Sequence, residues 1–171
     1  GDRGVNQAVY EQLRAQYHLD QPFIVQYFIY IGGIFQGDFG TSFSGQPVAD
    51  VLAATFPVTI RLALMAVAIE MLVGIGVGLV AGLRKGKLFD NSSLVMSLLL
   101  ISTPVFVIAF VFQFIFAIKL GWAKPTVSGD AGFLELLLPA IVLSTLAVAY
   151  IVRLTRSSVI ETSGQDFVRT A

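Results

Sequence analysis

The sequence contains no cysteine in 171 residues, which excludes disulfides, thiolate metal sites and cysteine nucleophiles. Its single histidine, His18, cannot by itself build a His-rich metal site. Charge is scarce as well. Asp, Glu, Lys and Arg make up 13% of the chain, against about 25% in an ordinary soluble domain. The eleven basic and eleven acidic residues cancel, so no basic field points to nucleic acid. No HExxH, no GxSxG and no pair of intramembrane aspartates occurs, so the chain carries no visible catalytic constellation and is expected not to be an enzyme. It is likewise expected to bind no metal and no cofactor of its own.

What is abundant is apolar surface. Hydrophobic residues make up 56% of the chain, and the mean hydropathy is +0.80. A soluble globule needs a charged exterior that this composition does not supply. A bilayer removes that need. The expected fold class is therefore all-α, a polytopic α-helical membrane protein, because helices satisfy their own backbone polar groups in lipid.

Three spanning segments are expected, at about 58–83, 91–118 and 136–152. They form a transmembrane core over 58–152. Only Arg61 and Glu70 are charged in the first, and the other two carry no charge. Residues 1–57 are polar and mixed. Within them, Val5 to Tyr17 reads as a short helix, and Gln21-Pro22 opens a second over about Phe23 to Phe35. The aromatic stripe of that second helix, Phe23, Tyr27, Phe28 and Tyr30, suits either a protein core or the membrane–water interface. Basic residues in short loops stay cytoplasmic. Arg84, Lys85 and Lys87 in one connection, and Arg153 and Arg156 after the third span, place 84–90 and the tail 153–171 inside. Residues 1–57 and 119–135 then lie outside, and a polar segment outside at the start implies a further span upstream.

Within the membrane, Gly74, Gly78 and Gly82 are spaced four apart on one helix face, a pattern that admits close approach of another helix. Glu70 must face protein or water. It either lines a substrate path or sits as a protonated or paired carboxylate between helices. Gln113 is a lone amide expected to hydrogen-bond between helices. Pro104, in Ser102-Thr-Pro-Val-Phe106, is expected to kink the second span, with Ser102 and Thr103 re-satisfying the freed carbonyls. Trp122 reads as an interfacial anchor. The run Gly82-Leu-Arg-Lys-Gly86-Lys87-Leu88 is not a phosphate loop. It is one residue short between glycines, and Leu88 stands where a hydroxyl should hold magnesium.

The ordered set of short motifs resembles the permease subunits of binding-protein-dependent ABC importers, in the form of the dipeptide/oligopeptide permeases. The stretches are Tyr17-His-Leu-Asp-Gln-Pro22, Gly37-Asp-Phe-Gly-Thr-Ser42, Gly82-Leu-Arg-Lys-Gly86 with Phe89-Asp90, Ser102-Thr-Pro-Val-Phe106 and Leu138-Pro-Ala-Ile141. The tail adds Arg153-Leu-Thr-Arg-Ser-Ser-Val-Ile-Glu161 and Gly164-Gln-Asp-Phe-Val-Arg-Thr-Ala171. The resemblance implies a type I ABC importer permease-like fold in a bacterial plasma (inner) membrane, with further spans before and after these three. It also implies that 153–171 begins the loop that engages the ATPases. There Gly164, Asp166, Arg169, Thr170 and Ala171 match the family's pattern, with Arg-Thr-Ala in the place of Glu-Ala-Ala. The implied partners are a second homologous permease subunit, two cytoplasmic ATPases that hold ATP and magnesium, and an extracytoplasmic substrate-binding protein bringing a peptide. Asp38 would lie on the face toward that binding protein, or serve only to cap its turn. Permeases for nickel or glutathione share this resemblance. An ion-coupled carrier using Glu70 is a separate class.

Overall fold

The computed structural model describes residues 7–17, 19–42, 44–128 and 130–165. All its regular elements there are helical: α1 (Gln7–Gln16), α2 (Phe23–Phe35), α3 (Val48–Leu83), α4 (Leu88–Ser102), α5 (Val105–Phe112) and α6 (Phe133–Ser163). α5 runs directly into a π-helical segment, Gln113–Lys119. The chain divides into two compact units, Gly1–Ala54 and Thr55–Ala171.

In the first unit, Pro22 precedes α2 in an extended conformation with φ −55° and ψ 144°. Its carbonyl accepts the N–H groups of Val25 (2.9 Å) and Gln26 (3.1 Å). The fixed proline φ thus sets the start of the helix where the sequence indicates. Beyond α2 the chain folds back. Gly37 and Gly40 take positive φ values of 83° and 73°, which only glycine adopts without strain. A single bridge between Thr41 and Pro47 closes the return, and the Val48 N–H donates to the Gly40 carbonyl at 2.9 Å. Of the expected first helix, Val5 and Asn6 lie outside the described residues.

α3 is longer than the apolar run within it. It begins at Val48, directly after Pro47, carries Asp50 in its first turn, and passes through Pro57 without ending. An acid in the first turn complements the partial positive charge of a helix N-terminus. Pro57 cannot donate to the preceding turn, but nearby side chains bond the carbonyls around it. Thr59 Oγ1 donates to the Thr55 carbonyl (3.0 Å), and Arg61 Nε donates to that of Pro57 (3.2 Å).

α3 and α6 are each long and apolar enough to cross a membrane, and α4 with α5 and its π-helical continuation makes a third span if the pair is counted together. That pair is not the kinked helix expected around Pro104. It is broken, with a bend of 105°. Proline disfavours helical backbone in the residue before it, and Thr103 is extended, with φ −97° and ψ 125°. Pro104 is extended too, with ψ 135°. Two consecutive extended residues redirect the chain where one missing hydrogen bond would only bend it. The Thr103 N–H (3.1 Å) and hydroxyl (2.8 Å) both donate to the Leu99 carbonyl, which ends α4 at the break.

The second unit is held together by α6. A small apolar cluster of Met65, Ala131, Leu136 and Ala140, with Val58, Leu62 and Ile69 against it, joins the middle of α3 to the start of α6. Arg61 Nη1 adds a hydrogen bond to the Ala131 carbonyl (3.2 Å). Further along, the glycines of α3 meet α6. A Cβ built on Gly74 would lie 2.6 Å from Ile151 Cγ2, one on Gly78 would lie 2.7 Å from both Thr155 Cβ and the Val152 carbonyl, and one on Gly82 would lie 2.7 Å from Val159 Cβ. Residue numbers rise together along the two helices in this series, so α3 and α6 run parallel. Two parallel spans require an intervening crossing in the opposite sense, which α4 and α5 supply.

The contact at Gly78 involves backbone, so it cannot be relieved by a rotamer change. Gly78→Ala is expected to lower the unfolding temperature of the full-length protein in detergent, on the scale of about 1–3 kcal/mol for an overpacked site. Gly76 has nothing within 4 Å of the equivalent position. Gly76→Ala should leave that temperature unchanged or slightly raised, so equal losses at the two positions would refute the assignment.

Candidate functional site

The most constrained polar group of the second unit is Asp90, in the first turn of α4 and 0% exposed. The Arg156 guanidinium of α6 grips it through both nitrogens on one edge. Nε donates to Asp90 Oδ1, and Nη2 donates to Oδ2 at 2.8 Å. The Gly86 N–H donates to the same Oδ2 at 2.8 Å. Gly86 can aim its amide this way because it takes φ 77° in the turn between α3 and α4. Two planar groups paired through parallel hydrogen bonds fix distance and orientation together.

Other contacts extend this junction. The Ser93 hydroxyl donates to the Asp90 carbonyl (2.8 Å), and Ser97 repeats the pattern on Ser93 (2.8 Å). The Arg156 carbonyl lies 3.1 Å from the position a Gly82 Cβ would take. The end of α3, the start of α4 and the last third of α6 therefore converge on Arg156, on the side where the basic loops are expected to be cytoplasmic. Eight residues further along the chain, α6 is capped by Gly164, whose N–H donates to the Glu161 carbonyl (3.2 Å). Asp166, Arg169, Thr170 and Ala171 lie outside the described residues.

Arg156 enters the sequence reading as a charge that sets orientation, and both it and Asp90 as parts of the motif set. The pairing itself was missed. The available signal was a lone acid at the start of one uncharged run and two arginines, Arg153 and Arg156, shortly after the end of another, both on the same expected side.

At the opposite end of this unit, Gln113 does not bridge two helices. Its side-chain Nε2 donates to the Pro125 carbonyl at 2.6 Å, tying the start of the π-helical segment to the loop before α6. Trp122 is exposed and packs its ring 5.9 Å from that of Phe116. In the same loop, Lys124 donates to the Glu135 carboxylate. That hydrogen bond, then the opposite charge, holds the Lys124 ammonium above its ordinary pKa. A cavity of about 380 Å³ lies beside these residues, lined mainly by Leu62, Val105, Phe110, Leu138 and Val142.

Glu70 is half-buried. It lies in the row of α3 that continues from Ala66 to Gly74, Gly78 and Gly82. Extending the glycine register one turn back brings it level with Ala147 and the buried Ser144 of α6. Among the described residues its carboxylate makes no hydrogen bond or ion pair. Asp38 is exposed and folds its own turn. Its Oδ1 accepts the Gly40 N–H (2.9 Å), and its own N–H donates to the Gly33 carbonyl (2.8 Å). No group of three or more His, Cys, Asp or Glu that could hold a metal ion occurs among the described residues.

Parallel apolar helices long enough to cross a membrane, a broken helix pair between them and an ion-paired junction at their ends define a polytopic α-helical membrane protein. Residues 74–171 match the family described as binding-protein-dependent transport system inner membrane component, and the chain belongs to that family. It is similar to a proposed peptide transport system permease of Brucella abortus, at 37% identity over 175 residues, covering 98% of this chain and 56% of that protein. It is similar also to the dipeptide transport system permease of Bacillus subtilis, at 36% over 178 residues, covering 99% and 55%. The oligopeptide transport system permease of Haemophilus influenzae is 36% identical over 172 residues, covering 99% and 56%. The chain thus spans about half the length of the curated relatives it matches.

Breaking a buried ion pair leaves an uncompensated charge, whereas an exposed pair contributes little. Arg156→Gln is therefore expected to lower the unfolding temperature far more than Glu135→Gln. The double variant Asp90→Asn/Arg156→Gln should recover part of the loss. A double variant no more stable than Arg156→Gln alone would show that Asp90 and Arg156 are not coupled.

Proposed function

We propose that the chain is the pore-forming part of a permease subunit of an ATP-driven importer for di- or oligopeptides. The observation that carries this reading is the family match over the whole of α6 and the tail, together with 34–37% identity to peptide permeases along nearly the full chain. In this reading a second homologous permease completes the pore, and an extracytoplasmic binding protein delivers the peptide. Two cytoplasmic ATPases supply energy from ATP and magnesium, and this chain hydrolyses nothing.

The junction at Arg156 suits such a part. A segment that transmits force from an ATPase must not bend independently of the spans it moves. Arg156 lies between the spanning portion of α6 and the Gly164, Asp166, Arg169, Thr170 and Ala171 segment proposed to meet the ATPases. Its bond to Asp90 makes α4 follow α6. The broken span fits the same reading, since discontinuous helices place backbone polar groups at depth where a polar substrate passes. Asp38, engaged in its own turn, is proposed to shape the outer surface without contacting the substrate.

The test is uptake of labelled di- to hexapeptides into proteoliposomes by the full-length protein with its partner subunits. Uptake that needs both ATP and the binding protein is expected. Binding-protein-stimulated ATP hydrolysis without peptide uptake would redirect the assignment to nickel or glutathione. Because energy would come from ATP, Glu70→Gln is expected to keep most of the peptide uptake. Abolished uptake in that variant, with loss of wild-type transport on adding an uncoupler at constant ATP, would favour an ion-coupled carrier.

A further inference from the structure

We infer that the turn between α3 and α4 is a binding surface for anionic phospholipid, with Arg84, Lys85 and Lys87 holding the phosphate-bearing headgroups. The chain leaves charge unanswered here. Asp90 is the acid nearest these cations in sequence, and it is taken by Arg156 and by the Gly86 amide. Among the described residues, the side chains of Arg84, Lys85 and Lys87 form no ion pair and no hydrogen bond, and all three are exposed. The helix ends do not answer them either. The C-terminus of α3 carries about half an elementary charge of negative sign, and the N-terminus of α4 about as much of positive sign, so the two cancel.

The position of the turn says which anion meets these cations. Residues 71–83 contain no charge, and the apolar run of α3 ends at Leu83, the last residue of the helix. That helix is long and apolar enough to cross a membrane. The turn that follows is closed by the Lys87 N–H on the Arg84 carbonyl (3.0 Å), and α4 starts at Leu88. Leu83 is 67% exposed and Leu88 83% exposed, whereas Ala81 and Asp90 are buried completely. The cations are therefore bracketed by leucines that turn away from the junction at the end of a span. A turn of this kind keeps its ends within about 7 Å of each other, so the cations cannot leave a headgroup layer that is itself about 5–7 Å deep. Lysine and arginine suit that depth, with stems along apolar surface and charged heads in the polar layer.

The part that leads away from the bilayer at this end is α6. It presents Val159 level with Gly82 and continues to Ser163. Four further residues carry it about 6 Å past the end of α3, so a partner arriving from water meets α6 first. Between lipids, charge decides. Choline or ethanolamine already balances the phosphate of a zwitterionic headgroup, whereas an anionic headgroup keeps a net charge that each juxtamembrane Lys or Arg attracts. Arg84 can also grip phosphate through two nitrogens at once.

The test uses the full-length protein with its partner subunits, in nanodiscs in which about a quarter of the lipid is phosphatidylglycerol and the rest phosphatidylcholine. p-Benzoylphenylalanine is placed at the Leu88 position, and mass spectrometry identifies what it captures on illumination. The expected result is lipid, with phosphatidylglycerol captured severalfold above its share. That excess should disappear in the variant Arg84→Gln/Lys85→Gln/Lys87→Gln. It should shrink also in about 1 M salt, where charges act over only about 3 Å, an arm that needs no substitution in the turn. Capture of protein, or of nothing, would overturn the inference by placing the turn against a subunit or in water. Capture of the two lipids in proportion to their abundance would overturn it by showing lipid contact without headgroup selection.

Discussion

A carboxylate with no exposed surface, at the edge of a membrane, is tolerable only if its charge is answered in place. Asp90 is answered by an arginine reaching through two nitrogens and by a backbone amide. Taking a carboxylate out of water is costly, so a pair of this kind is weak evidence of net stability, and what it supplies here is geometry. The geometry here is that of three helix ends. Gly86 must turn left-handed to present its amide, so the α3–α4 connection is fixed. Arg156 must lie opposite Asp90, so the rotation of α6 is fixed. With that rotation set, Ile151, Thr155 and Val159 fall against Gly74, Gly78 and Gly82.

The glycine row and the ion pair divide the work between them. Lipid supplies no hydrophobic drive for helix association, so close packing must supply it. Packing of small residues along parallel helices leaves their relative sliding weakly opposed. A directional bond at one end removes that freedom. At the other end, the apolar cluster around Met65 and Leu136, with Arg61 bonded to Ala131, does the same by shape.

The apolar runs were readable because composition and period act locally. Long uncharged segments, prolines before helices and glycines four apart each carry their consequence within a few residues. Pro22 and Phe23–Phe35 show this well. What was not readable depends on residues far apart in the chain. The Asp90–Arg156 pair needs the turn at Gly86 and the parallel placement of α6, which neither residue announces alone. The second span was legible as an apolar run, but its break was not. One proline predicts a kink, whereas the extended Thr103 and Pro104 together turn the chain through 105°. The partner of Gln113 was also misplaced, because a loop carbonyl at Pro125 carries no sequence signal.

The ion pair joins residues 66 apart in the chain. At roughly 5–20 residues per second, a ribosome adds that length in about 3–13 s. During that interval Asp90 has been made and its arginine has not. A free carboxylate on the aqueous side can wait there, but one drawn toward the acyl chains cannot. The junction of α3, α4 and α6 can therefore close only after Arg156 has been made, and until then the Gly86 amide is what Asp90 has from its own turn.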